Sequence, residues 1–214
     1  MGSIFPVHLV LTRKVKEYLI KNQTVMRRYL LSAVILTVLG MVCQTSQVNA
    51  QNALYSTNGG NTRFSSETPL ENINAENKKT QAILNTSTGE LAIRMNMTDF
   101  VFPNKLMQEH FNENYIESAK YPTATFSGKI DKAIDYTKDG EYDASATGKF
   151  TVHGVTQTRT ISGKMKIESG KISIASNFQV ALTDHKIDVP EIVFVKIAQK
   201  IDVKTQYTLA PLKK

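Results

Sequence analysis

Within Tyr121 to Thr156 two runs alternate between apolar or small residues and polar ones with a period of two, the mark of a strand buried on one face only. Ala124, Phe126, Gly128 and Ile130 fall on one side, and Thr125, Ser127 and Lys129 on the other. Pro122 biases Tyr121 toward extended backbone. Lys138-Asp139-Gly140 reads as a turn. Beyond it Tyr142, Ala144, Ala146, Gly148, Phe150 and Val152 alternate against Asp143, Ser145, Thr147, Lys149 and Thr151. The segment is expected to form a long antiparallel hairpin with one apolar face, after which His153-Gly154 reverses the chain sharply.

The same period recurs on both sides of this hairpin. Leu91, Ile93, Met95 and Met97 alternate with Ala92, Arg94, Asn96 and Thr98. Ile161, Gly163, Met165 and Ile167 lead through a turn at Ser169-Gly170 into Ile172, Ile174, Ser176, Phe178, Val180 and Leu182, a second hairpin. Ile201, Val203, Thr205, Tyr207 and Leu209 make a last strand. Nearer the start, Ala53 to Thr57 reads as a strand ended by a turn at Asn58-Gly59-Gly60, and Arg63 to Glu67 as a second one. Glu71 to Lys79 carries only a weak strand signal, which recovers at Ala82 and Leu84 before a turn at Thr86 to Gly89. Asn104 is a helix N-cap for a short helix over Lys105 to Asn114, with Leu106, Met107, His110 and Phe111 at helical spacing. Too short to stand alone, it is expected to pack at a barrel mouth with Met107 and Phe111 turned inward and Tyr115 nearby. After Pro190, Ile192 to Val195 fits strand and helix equally well.

Strands with one apolar face hide it by rolling into a barrel or stacking as a sandwich. The polar faces carry Lys, Asp, Asn and Thr too densely for a wall against lipid, so the apolar face points inward. The expected fold class is all-β: an antiparallel barrel of about eight strands with one short helix near a mouth. Such an interior is either filled by side chains or holds one small ligand. Small inward residues (Gly128, Gly148, Gly163, Ala124, Ala144, Ala146, Ser176) would leave room along the axis, and Met95, Met97 and Met165 adapt to an irregular guest. Small residues also occur in filled, tapered cores, so the pattern leaves both interiors open. If the interior is hollow, the residues expected to line it are Leu91, Ile93, Met95, Met97, Phe111, Tyr115, Phe126, Ile130, Phe150, Met165, Phe178 and Leu182.

Two stretches resemble a known family. Tyr121-Pro122-Thr123-Ala124-Thr125-Phe126, and then Gly148-Lys149-Phe150-Thr151-Val152-His153-Gly154-Val155-Thr156, with a short helical stretch just upstream, are similar to the two signatures of the YceI-like family of bacterial periplasmic proteins. The resemblance runs from about Ala53 to the C-terminus by the order of strands and loops, with its specific part in the two signatures. It implies a lipocalin-like barrel, hence a hollow interior, that binds a long polyisoprenoid or similar lipid. At about 0.8 kcal/mol for each buried CH₂, a long lipid could be held with few polar contacts. One departure stands out: many members carry an arginine and a glycine before the last strands, where this chain reads Thr183-Asp184-His185-Lys186-Ile187-Asp188-Val189-Pro190. No role of that arginine transfers.

The N-terminus has a different character. Met26-Arg27-Arg28, the apolar run Tyr29 to Val42 and the small-residue ending Val48-Asn49-Ala50 follow the order of a secretory signal peptide, with cleavage expected after Ala50. The apolar run is short of the ~20 residues that span a bilayer, and Met41-Val42 ahead of Cys43 lacks the small residue of a lipid-modification site. Residues 1–25 read as an unused upstream extension or as a long charged region of the leader, residues 26–50 as the signal peptide, and residues 51–214 as the barrel domain. The first 50 residues hold six of the 26 Lys and Arg and one of the 19 Asp and Glu, so the remaining 164 carry a net charge of +2 in place of +7. No concentrated basic stripe remains for nucleic acid. The single cysteine leaves with the leader as well, so no disulfide or thiol chemistry is expected.

His110, His153 and His185 remain, without the second histidine of a helical zinc-protease motif, and no nucleophile elbow or phosphate-binding glycine loop is present in the sequence. His153 is expected to bond a nearby backbone group, and Asp184 and His185 to sit in a solvated loop. The sequence nominates no catalytic residue, metal or cofactor. Two functions follow. One is a non-enzymatic periplasmic carrier or store of a long apolar lipid, polyisoprenoid or isoprenoid quinone, touching the membrane only for ligand exchange and open to homodimerisation that encloses both ends of a long chain. The other is an exported envelope-stress interaction module with a filled core that acts through its surface.

Overall fold

A computed structural model describes residues 53–212, so the expected extension and leader over residues 1–50 lie outside the described residues. Eight antiparallel strands close into one barrel in simple sequence order. They are β1 (Leu54–Glu67), β2 (Asn72–Asn85), β3 (Glu90–Asn96), β4 (Thr123–Ile130), β5 (Gly140–Val152), β6 (Val155–Glu168), β7 (Lys171–Ala181) and β8 (Lys200–Pro211). Pairing of β1 with β8, Thr62 opposite Thr205 and Phe64 opposite Val203, removes the free edges that an open sheet would expose. The expected β4–β5 hairpin pairs Phe126 with Phe150 and Ile130 with Ala146, and the β6–β7 hairpin turns at Ser169-Gly170 as expected.

The β5–β6 reversal takes two residues, His153 (φ 51°) and Gly154 (φ 70°). Positive φ at both central positions twists the turn in the same sense as its strands. The ring of Tyr121 lies against Gly154, where a β-carbon would come within 2.6 Å of it. The first family-like stretch therefore packs onto the second.

The structure corrects the N-terminal third. Asn58-Gly59-Gly60 is not a turn. It is an irregularity inside one continuous strand, with register shifts between Thr57 and Gly60 and between Gly60 and Thr62. The weak segment Glu71 to Lys79 belongs to β2, whose inward set changes phase from Ala75 and Asn77 to Thr80, Ala82 and Leu84. A phase change cancels the alternation that a sequence reading relies on, and two of the five buried positions are polar. Asn77 bridges the break, accepting from the Lys79 amide at 2.8 Å and donating to the Asn96 carbonyl at 2.9 Å.

Between β3 and β4 the chain forms α1 (Lys105–His110), capped by the Asn104 side chain, which accepts from the Leu106 amide at 2.8 Å. It continues as a wider π-type turn over Phe111–Tyr115. The ambiguous stretch after Pro190 forms a 3₁₀ turn, Glu191–Lys196. The β4–β5 connection is broader than a tight turn and occupies residues 131–139.

Candidate functional site

The barrel has two unlike ends. At one, the β2–β3, β4–β5 and β6–β7 turns close over Leu84, Ile167, Ile172 and Leu209, all buried near their strand ends. The other gathers the β1–β2 loop, the β5–β6 turn, the α1 segment and the long β7–β8 connection. Between them lies a cavity of about 530 Å³. That is within the roughly 300–1,000 Å³ usual for small-molecule sites. The interior is hollow, which removes the premise of a filled-core module.

All twelve residues expected to line a hollow interior do line it. Leu91, Ile93 and Met95 come from β3, Phe126 and Ile130 from β4, Phe150 from β5, Met165 from β6 and Phe178 from β7. Met97 and Leu182, expected as the last residues of their strands, lie one residue past the observed ends, Met97 opening a 3₁₀ turn and Leu182 capping another, and both still line the cavity. Phe111 and Tyr115 reach it from the π-type turn, and Met107 from α1. Burial, and then the nearby Glu71 carboxylate, raise the Tyr115 phenol above its ordinary pKa.

The helix is seated by three rings that the sequence reading did not select, packed on Phe111, which it did. Phe64 stacks on Phe111 with ring centroids 5.4 Å apart, and Phe100 and Phe102 meet the same two rings at 5.0–5.9 Å. Phe64 sits in β1 beyond the register shift, and Phe100 and Phe102 in a loop with no period, so none carried an alternation signal. The rim is polar, with Glu71, Asn104, His110 and Lys196.

Not every small inward residue makes room. Gly128 and Gly148 face each other across β4 and β5, and a β-carbon on either would strike the other's backbone. Neither lines the cavity; the Phe126 ring covers Gly128 instead. Ala124, Ala144, Ala146, Gly163 and Ser176 do line it.

The wall is tied shut near the mouth by side chains. β6 and β7 pair only from Gly163–Ser176 to Glu168–Lys171, and above that they part. Arg159 bridges the gap, donating from Nη2 to the Gln179 carbonyl at 2.5 Å, with its guanidinium near the Phe150 and Phe178 rings. The expectation for Asp184 and His185 is half corrected: Asp184 is exposed, but His185 is fully buried (0 % exposed). Its Nδ1 donates to the Val155 carbonyl at 3.2 Å, and its ring meets Phe150 edge-on. Burial is the main cause that lowers its pKa below 6.5. His153 does bond backbone, donating from Nδ1 to the His185 carbonyl at 3.1 Å, and its Nε2 lies 2.8 Å from Glu117. Among the described residues no three His, Cys, Asp or Glu side chains group as a metal site.

Comparisons with known proteins agree with this geometry. The YceI-like domain matches residues 43–209. A polyisoprenoid-binding domain from Saccharophagus degradans, implicated in plant cell wall breakdown, superposes with a TM-score of 0.62 at 13% identity, over 75% of this chain and 99% of its own. Burkholderia cenocepacia BcnA superposes at 0.59 with 16% identity, over 71% and 96%. A Campylobacter jejuni YCEI protein superposes at 0.53 with 18% identity, over 65% and 85%. No curated protein matches the chain.

Proposed function

The chain belongs to the YceI-like family, and from that premise we propose that it is a non-enzymatic carrier or store that holds an apolar lipid, of polyisoprenoid or isoprenoid-quinone type, inside the barrel. The observation that carries the reading is the 530 Å³ cavity walled almost wholly by aliphatic, aromatic and methionine side chains. The similarity in fold to a polyisoprenoid-binding domain supports it. Such a wall offers burial rather than directed chemistry.

The volume sets the length of what is enclosed. At about 30 Å³ for each water-sized group, the cavity takes roughly 15–20 non-hydrogen atoms. Fifteen buried methylenes would give about 12 kcal/mol before association and ordering costs are subtracted. A longer polyprenyl chain leaves its remainder at the mouth, where a second copy or a membrane met during exchange would cover it. Export through the leader and residence in the periplasm belong to the same proposal. The family match begins at residue 43, inside the expected leader, so the mature N-terminus is itself something to measure.

The test is native mass spectrometry of protein purified from a bacterium expressing the full chain, followed by organic extraction. The expected result is a chain beginning at Gln51 with a stoichiometric apolar adduct. A clean apo mass, unchanged after incubation with isoprenoid quinones and polyprenols, would sink the carrier reading.

A further inference from the structure

Among the described residues the wall gathers hydroxyls at one level. Thr62 on β1 faces Thr205 on β8, which faces Ser176 on β7, so three neighbouring strands present hydroxyls to the cavity at one level. One step nearer the closed end Tyr207 adds its phenol, 1 % exposed and also lining the cavity. These groups bond one another: Thr62 Oγ1 lies 2.9 Å from both Thr80 Oγ1 and the Tyr207 hydroxyl, and Ser176 Oγ lies 2.6 Å from Thr205 Oγ1.

Counting protons shows what this arrangement lacks. Thr62, Thr80, Tyr207, Thr205 and Ser176 bring five O–H donors to the three bonds above and the Tyr207–Thr205 contact that joins the two groups. At least one O–H is therefore left that no described residue accepts. A donor without a partner inside an apolar chamber is costly, and an acceptor oxygen on a ligand would relieve it. Among the described residues no cation faces the band: of the lysines along the cavity, the Lys164 ammonium pairs with Asp143 at 2.8 Å and Lys196 is on the rim. A phosphate or carboxylate placed there would be a buried, unpaired charge.

Resting on the carrier reading, we infer that this band is a subsite for a neutral, hydrogen-bond-accepting oxygen, a ketone, quinone, ester or amide, so that the guest enters oxygen-first with its hydrocarbon toward the aromatic mouth. Hydrocarbons lack the acceptor and anionic lipids bring the wrong charge.

The test is displacement of bound N-phenylnaphthylamine from the full chain by three probes of similar size: methyl tetradecyl ketone, heptadecane and palmitate. In the unaltered protein the ketone should displace about tenfold more effectively than heptadecane, as expected for one or two added hydrogen bonds. Thr205→Val and Ser176→Ala should each narrow that ratio, and together narrow it further, the remainder belonging to the Thr62–Tyr207 hydroxyls, while heptadecane displacement stays unchanged and reports an intact cavity. Equal displacement by ketone and heptadecane in the unaltered protein would overturn the subsite and leave the carrier reading standing. So would a ratio that the two substitutions together leave unchanged, or palmitate displacing best. Displacement by none of the three would overturn both.

Discussion

Tyr207 offers a direct test of how dry and how tightly bonded the deep wall is. Burial raises its phenol from 10.0 to about 12, partly offset by bonding to Thr62 and Thr205. Because the folded-state value lies above the unfolded one, the stability tied to the neutral phenol is fully present below about pH 10 and is lost as pH rises through about 12. Two pKa units correspond to about 2.7 kcal/mol in total, of which about 2 kcal/mol is gone by about pH 11.5. Other tyrosines and lysines titrate in the same window, so the comparison is with Tyr207→Phe, which removes this group alone. In urea unfolding, the stability of the unaltered protein relative to Tyr207→Phe should drop by about 2 kcal/mol between about pH 9 and about pH 11.5. At the usual urea slope for small proteins that is a relative midpoint shift of roughly 1 M. A difference that stays constant over this range would refute the argument, because it would mean that the phenol ionises as readily folded as unfolded.

Three further outcomes follow from other parts of the barrel. Phe111→Ala removes the ring shared by the aromatic cluster at the mouth; being half-buried it should cost about 2–3 kcal/mol in urea unfolding, below the range for a fully buried Phe, and stopped-flow fluorescence should show faster probe release. Because the folded His185 has a depressed pKa, its contribution is present above pH 6.5 and is lost as pH falls through the folded value, so midpoints measured from about pH 7 to about pH 5 should fall more steeply than in His185→Phe. Gly148→Ala drives a β-carbon into the Gly128 backbone and should cost about 1–3 kcal/mol, while Gly59→Ala, with nothing within 4 Å, should stay within about 0.5 kcal/mol in thermal unfolding.

How far the sequence could be read depended on whether a strand keeps its phase. β3 to β8 alternate without interruption, and from them the barrel, both hairpins and ten of the twelve lining residues were legible, Phe111 and Tyr115 coming from the helical segment instead. β1 and β2 change phase at Gly60 and between Asn77 and Thr80, so one side of the interior, with Phe64 and the Thr62–Thr80 contact, was invisible to a period-two reading. The glycines misled in another way. At Gly128 and Gly148 the missing side chains bring two strands together rather than widening the interior, and only the register distinguishes the two. His185 was assigned to solvent because polar residues flank it; its burial comes from a 3₁₀ turn packing on Phe150, a long-range contact no local pattern encodes.

The cavity itself carries an energetic argument. A void created in a packed core costs about 24 cal/mol for each Å³, so 530 Å³ left dry would cost about 13 kcal/mol, as much as the whole stability of most domains. An occupant is therefore part of this fold's energetics. Water needs two to four polar partners at each site, which the band near Thr205 and Tyr207 and the polar rim supply; the aromatic part between them suits an apolar guest instead. Ala146 faces that space from β5, so Ala146→Phe should place its ring in the hollow and gain about 0.5–2 kcal/mol in the absence of ligand. It should also lose most of the ligand response, which at a hundredfold excess over Kd is about 2.7 kcal/mol for the unaltered barrel. Thermal unfolding with and without methyl tetradecyl ketone measures both effects. A Phe variant destabilised by about 1–3 kcal/mol, as overpacking of a full core would produce, would mean that the space beside Ala146 is not there in solution.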